Sequence, residues 1–410
     1  MSHIIGLIYE LQCLDDLARS NLGSHTLSLI VPEELIKENP KKFLNFPNVI
    51  PVKGYLESAS VESLIFKHHK RQPIDRIVAV HEVDILRAAK LRQLLNLPGQ
   101  NFESAQHFRR KTMMKQCLKN HGFLVPSFAP IQSAADILDF MNHHSFPLIL
   151  KPDLGTGSRG VTILHSQNQV LSFLKKKRVF PANQPLDWQI EEFIPGQMYH
   201  INGLVLHGQV VASWPALYPH QSIKMTQGHF ASSILLSQEN PLTNKLNSYA
   251  KHILEILPTP LHTAFHLEVF VTPSDEIIFC EIASRIGGKG VRLSWLESFG
   301  IDLGKIFVEA QVAWENYSDA KKHFLKPSVL SGEIWFPTRQ GTLQAIEKIC
   351  PYTWVKDYQV FFKPGERITK SQDINSCVAG TALFIGSNES EMHQRLGEFV
   401  HWFETHTHWH

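Results

Sequence analysis

The stretch LILKPDLGTGSRGV, Leu148 to Val161, carries an apolar β-type run into a lysine and then into a loop with glycines at 155, 157 and 160. Phosphate-holding glycine loops come in few architectures, and the flanking sequence removes two of them. No Gly-Lys-Ser/Thr closes the loop, and its lysine precedes the glycines, so it is not the P-loop. In that motif and in the dinucleotide fingerprint the glycines open a helix, whereas Gly160 is followed by VTIL, a β-type run. The loop therefore joins two strands. Such a hairpin can fold over a nucleotide as a flap, because glycine lets successive backbone N–H groups turn toward phosphate oxygens. Lys151 would add a point charge from the strand beneath. An ordinary flexible hairpin accounts for this segment alone equally well.

A second hairpin narrows the choice. In FHLEVFVTPSDEIIFCEIASRIGG, a turn centred between Ser274 and Asp275 sets Glu268 opposite Glu281. Leu267, Val269, Cys280 and Ile282 flank them, which predicts a largely buried hairpin. Two opposed carboxylates there are unfavourable without a cation between them. Magnesium suits a site of two carboxylates, because it completes its shell with water and substrate phosphates. A solvent-facing pair, or a register slipped by one, is the alternative. Arg285 follows beside Gly287 and Gly288, where it can reach a transferred phosphoryl group or form a structural ion pair.

The rest of the chain reads as alternating strands and helices (HIIGLIY, DRIVAV, EVDILRAAKLRQLLNL) as far as Pro98-Gly99. The helix HFRRKTMMKQCLKNHG follows. Then comes β-rich sequence with one internal helix, NQVLSFLKKK, read as a small antiparallel sheet in which Gly208 turns a hairpin. The 410 residues, 43% of them apolar, suffice for two or three domains. Forty Lys+Arg against 38 Asp+Glu give a net charge of +2, too little to grip a nucleic-acid backbone. The basic run 175–178 reads as a solvated helix end, and the terminal HTHWH as a frayed end. Five scattered cysteines without a C-x-x-C pair point to a reducing cytoplasm. No apolar run approaches the roughly 20 residues that span a bilayer, and no targeting segment is read at the N-terminus.

Together these pieces resemble the ATP-grasp superfamily, and within it the carboxylate–amine ligases that include L-amino-acid ligases. The resemblance covers most of the chain and implies an α/β protein whose grasp is of α+β type. Its parts would be an N-terminal α/β pre-grasp domain over 1–105, marked by HEVDILRAAKLRQLLNLPG; a two-lobed ATP-grasp domain over 106–325, with a small antiparallel-sheet lid at about 126–195; and a C-terminal β-rich subdomain over 326–410. The implied cofactors are ATP and Mg²⁺. Lys111 and Lys151 match the lysines at the ATP phosphates, and Gly155, Gly157, Ser158 and Gly160 belong to the flap. The hinge IEEFIPG brings Glu191, Glu192 and Ile194 to adenine, the latter two mainly through backbone groups. Glu268 and Glu281 match the magnesium ligands, and Arg285 matches the arginine on the transferred phosphate.

Two positions depart from the family pattern. Met198 stands where an acidic residue often meets the ribose, and Ala283 where many relatives place an asparagine as a further metal ligand. The implied reaction phosphorylates a carboxylate, and an amine then displaces phosphate to form an amide, with amino acids as the expected substrates. A bicarbonate-activating carboxylase and a degenerate, non-catalytic nucleotide-binding protein are the competing readings. Lys289 borders the acceptor pocket or is a surface lysine. Small carboxylates and amines are the expected partners, without nucleic acid or membrane, and a homodimer is the default assembly.

Overall fold

The computed structural model describes residues 2–175, 187–220, 225, 228–288, 290–318, 326–368 and 378–410. The chain opens on a parallel sheet of β1 (His3–Leu7), β2 (Thr26–Pro32), β3 (Val49–Val52) and β4 (Arg76–Ala79), in the order β3-β2-β1-β4. All five residues of β1 are buried, as expected of a parallel strand covered on both faces. The strand order reverses between β1 and β4, and in open α/β sheets that crevice at the carboxyl ends is where ligands bind. Glu10 follows β1 there, and His81-Glu82 follow β4.

The described residues between 128 and 192 form a small lobe of β5 (Phe128–Ile131), β6 (Leu148–Pro152), β7 (Thr162–Leu164) and β8 (Trp188–Glu192), antiparallel in the order β5-β8-β6-β7. Among the described residues two helices cover it, not the single one expected from the sequence. Gln167–Leu174 matches the NQVLSFL segment, while Ala134–His143 is additional. The additional helix starts from a capping box, in which Ser133 and Asp136 satisfy each other's backbone N–H groups. Its Ile137 and Phe140 join Val170, Phe173, Leu148 and Ile190 in a core made of this lobe's residues alone.

The remaining strands build one eight-stranded sheet, β13-β12-β9-β10-β11-β14-β18-β16. It comprises β9 (Gln197–Leu206), β10 (Gln209–His220), β11 (Ala231–Leu235), β12 (Thr263–Val271), β13 (Ile277–Ala283), β14 (Leu330–Pro337), β16 (Val355–Val360) and β18 (Val378–Gly386). Gly208 does turn the β9–β10 hairpin, with His207 and Gly208 both at positive φ (52° and 72°), as a two-residue turn of this hand requires. That hairpin belongs to the large sheet rather than to the small lobe's sheet. The C-terminal residues are likewise not a separate sheet body, because β14, β18 and β16 continue the large sheet. Among the described residues, only β15 (Gly341–Ile346), β17 (Arg367–Ile368) and β19 (Thr407–Trp409) pair apart from it. One of the apolar cores runs from Leu14 and Val78 through Trp214 and Trp295 to Phe384 and Phe399, and another, with Phe108, Leu246, Phe265 and Phe279, is separate from it. No helix among the described residues is long and apolar enough to cross a membrane.

Candidate active site

A cavity of about 340 Å³ lies where the small lobe, the large sheet and the crevice of the N-terminal sheet meet. Its walls include the glycine loop (155–159), the hinge residues Glu191, Glu192 and Ile194, the strand residues Glu268 and Glu281, and Glu10 and Glu82 from the N-terminal sheet. Residues from five separate stretches of sequence thus share one chamber.

The loop between β6 and β7 needs its glycines. Gly157 and Gly160 have φ of 57° and 75°, and Ser158 also adopts the left-handed conformation, at 58°. A Cβ on Gly160 would lie 2.9 Å from Pro152 Cγ. The loop is fastened beneath by Asp153, which accepts from the backbone N–H of Thr112 (2.8 Å) and from its hydroxyl (3.1 Å). The helix Lys111–Asn120 has no cap from its own N-cap residue, so the small lobe supplies the carboxylate that its exposed N–H groups and dipole favour. Lys111, first in that helix, donates to the carbonyl of Gly155 at 2.7 Å and lies 3.3 Å from Glu281 Oε2.

Lys151 is buried and pairs with Glu191 Oε1 at 2.5 Å. The other Glu191 oxygen takes Lys115, a lysine with no solvent exposure that also donates to Gln189 at 3.0 Å. The Glu191 carboxylate, expected beside adenine, is thus taken up by two lysines, and it positions Lys151. Burial alone would raise its pKa, but Lys115 and Lys151 outweigh that and bring it down to about 2. Burial, with Lys151 adding to it, pulls Lys115 down to about 8 against the attraction of Glu191. Glu192 accepts from the backbone N–H of Ser127 at 2.9 Å, and Ile194 is buried in the cavity wall.

Glu268 and Glu281 are cross-strand partners, but by a different route from the simple hairpin. Near the turn the partners are Val271 with Ile277 and Val269 with Phe279, a register that would carry Glu268 to Cys280. A β-bulge at Cys280 adds one residue to β13 and restores the Glu268–Glu281 pairing. The Tyr218 hydroxyl donates to Glu268 Oε1 at 3.2 Å, and His266 Nε2 lies 3.3 Å from the same oxygen. From His266 a buried chain continues through Asn202 Oδ1 (2.8 Å), Asn202 Nδ2 to His200 Nδ1 (2.7 Å), and His200 Nε2 to Ser233 (2.6 Å). Because the amide donates to His200 Nδ1, the His200 proton sits on Nε2. Burial first, and His266 second, keep this ring neutral. The two opposed carboxylates are a donor set that fits Mg²⁺, which asks for few protein oxygens.

Gly287 passes directly over this chain. A Cβ there would lie 2.6 Å from Asn202 Oδ1 and 2.7 Å from His266 Nδ1. Gly287→Ala should cost about 1–3 kcal/mol by overpacking, read as a lower midpoint in urea denaturation.

Arg285, expected at a transferred phosphate, forms the ion pair that the sequence left as its alternative. Its partner is Glu82, which also pairs with Arg109. Arg109 in turn donates to the carbonyl of Leu154 at 2.8 Å, in the glycine-loop segment. Burial opposes charge on Glu82, but Arg109 and Arg285 hold its carboxyl far below the usual range. Glu82, inside HEVDILRAAKLRQLLNLPG, and Lys115, inside RRKTMMK, carry no local sequence signal for these roles. Met198 lines the cavity and Ala283 is buried on β13. Lys289 lies outside the described residues.

These carboxylates make stability depend on pH. Glu82, Glu191 and Glu281 all have depressed pKa values in the fold, with burial opposing and neighbouring cations prevailing. Their stabilisation is complete above the ordinary value of 4.5 and is lost as pH falls from there toward the folded values. The contribution of these three groups to the melting temperature should therefore hold from neutral pH to about 5 and drop steeply below it. Glu191→Gln should lower the plateau and flatten part of the slope.

Residues 116–291 match the family model of the ATP-grasp domain. Among characterised proteins, the L-arginine-specific L-amino acid ligase of Bacillus subtilis is 26% identical over 82% of this chain and 81% of its own. The crystal structure of an L-amino acid ligase from Bacillus licheniformis superposes with a TM-score of 0.75 at 17% identity, over 100% of this chain and 98% of that one. The biotin carboxylase domain of the Hydrogenobacter thermophilus 2-oxoglutarate carboxylase, solved with MgADP and bicarbonate, gives 0.69 at 13% identity, over 94% and 86%.

Proposed function

We propose that this protein is an ATP-dependent ligase that joins a carboxylate to an amine, with amino acids as its substrates, through an acyl-phosphate intermediate. One observation carries the reading. The glycine loop, the opposed glutamates and the crevice of the N-terminal sheet open into the same cavity, so a nucleotide, a metal and a small substrate can meet there.

In the first step the γ-phosphoryl group of ATP passes to a carboxylate oxygen of the first substrate, leaving ADP and an acyl phosphate. In the second, the amine attacks the acyl carbon, phosphate departs and the amine loses a proton. Phosphoryl transfer asks for positioning and charge stabilisation rather than covalent chemistry from the protein. Lys151, fixed by Glu191, and Lys111, at the loop carbonyl, meet phosphate oxygens. Arg285, held by Glu82, brings a guanidinium from the large sheet to the face where the small substrate sits. Glu268 and Glu281 would hold Mg²⁺, which supplies a Lewis acid for the phosphate charge. The small lobe closing over the site keeps water from the acyl phosphate. Cys13, Cys117, Cys280 and Cys350 are free thiols, in keeping with a cytoplasmic enzyme.

The test is phosphate release from Mg·ATP against single and paired amino acids and other small carboxylates. Release that needs both members of a pair supports the ligase. Release stimulated by bicarbonate without any amine would replace this reading with the carboxylase type, and ATP binding without release from any mixture would replace it with a non-catalytic nucleotide-binding protein.

A further inference from the structure

The bulge on β13 has a chemical result separate from the register it restores. At a bulge, two residues of one strand oppose a single residue of its partner, so Cys280 as well as Glu281 stands across from Glu268. Simple alternation would have sent the Cys280 side chain to the opposite face from Glu281. Instead it lines the cavity, and its sulfur and one oxygen from each glutamate lie within 4.8 Å of one another. Cys280 is 7% exposed and free, and among the described residues its sulfur makes no hydrogen bond. A buried thiol without a hydrogen bond thus sits beside two carboxylates, within the electrostatic reach of Lys151.

We propose that Glu268, Cys280 and Glu281 form a binding site for a thiophilic divalent cation of the zinc class, with the Cys280 thiolate as the ligand that discriminates it from magnesium. Magnesium is a hard ion that takes oxygen donors and keeps several waters, and it gains nothing from sulfur. Zinc and cadmium favour thiolate. Three protein ligands and one open position form an established zinc arrangement, with bonds of about 2.0–2.3 Å that need the three donor atoms to draw together slightly by side-chain rotation. As the metal–sulfur bond forms, the thiol proton leaves to solvent and no electron is transferred. Three ligand charges then face a dication, and Lys111, 3.3 Å from Glu281, offsets the remainder. Such an ion occupies the carboxylates that magnesium would use, so it blocks the nucleotide's metal.

The test uses the intact protein without nucleotide or substrate, titrated with cadmium chloride and followed by the sulfur-to-cadmium charge-transfer absorption in the ultraviolet. One equivalent should develop the band, zinc chloride should remove it, and a hundredfold excess of magnesium chloride should leave it. Cys280→Ser should abolish the band. Glu268→Gln, which keeps the thiol, should weaken cadmium binding by at least roughly 10- to 100-fold, the cost of losing even an outer-shell partner. A band of full strength in Cys280→Ser would overturn the proposal, because another thiol would then be the ligand. So would wild-type affinity in Glu268→Gln, and this second variant decides the matter if Cys280→Ser fails to fold. The readout needs no turnover, so it stands or falls separately from the ligase reading.

Discussion

Glu281→Gln is expected to lower the turnover number for phosphate release by about a thousandfold, the scale of losing one preorganised electrostatic group at the reacting centre, while leaving the protein folded. The substitution keeps the side chain's size and removes only its charge. That charge faces Glu268 across the bulge and lies 3.3 Å from Lys111. Glutamine therefore leaves one carboxylate where two opposed each other, and releases Lys111 to its other partner, the Gly155 carbonyl. On the proposed reading a bound Mg²⁺ would lose one of its two carboxylates, and Lys111 would lose one of its two partners, in a single change. Steady-state phosphate release measured beside a melting curve checks the prediction. A loss of less than tenfold in a folded variant would overturn the proposed role of Glu281 as a metal ligand.

The second large effect is on stability. Glu82→Ala should cost about 3–5 kcal/mol, the penalty for removing one partner of a buried ion pair. Glu82 and Arg109 side chains are only 6% and 8% exposed, and Arg285 is 20% exposed. Alanine would strand two guanidinium groups around an empty space, leaving Arg109 with the Leu154 carbonyl and Arg285 with that of Ile286. Urea denaturation should show the lower midpoint. Glu82→Gln should fall between the two, since it still accepts a hydrogen bond. Turnover should fall further than stability alone explains, because Arg285 loses the group that orients it. A variant as stable as the parent would mean that water replaces the carboxylate.

Local chemistry was the legible part of the sequence. The glycine loop between two strands, Lys151 before it and the facing glutamates could all be read from residue type and spacing, because hairpins and turns obey short-range rules. A turn centred half a residue from the real one predicts the same glutamate pairing, and the bulge that compensates leaves no mark in the string FCEIA. Partners distant in sequence were not legible. Glu82 meets Arg285 across 203 positions, and Lys115 meets Glu191 across 76. Nothing local to HEVD or KTMMK states those pairings, which only the folded sheet order supplies. The continuation of the large sheet by β14, β18 and β16 was hidden for the same reason, since an edge strand reads alike whether its neighbour is near or far in sequence.

The small lobe buries its own apolar residues and shares none of them with the body's large core. The connections described between the two are mostly polar: Asp153 on Thr112, Lys111 on the Gly155 carbonyl, Lys115 on Glu191. The first two are only partly buried and exchange with water at little net cost, whereas the buried Lys115–Glu191 pair on β8 stays made. The lobe can therefore swing as a rigid plate about its two chain crossings without unfolding. In hydrogen exchange, amides at the loop and helix N-terminus should trade deuterium long before those of β6 and β8, and bound nucleotide should erase that difference in timing.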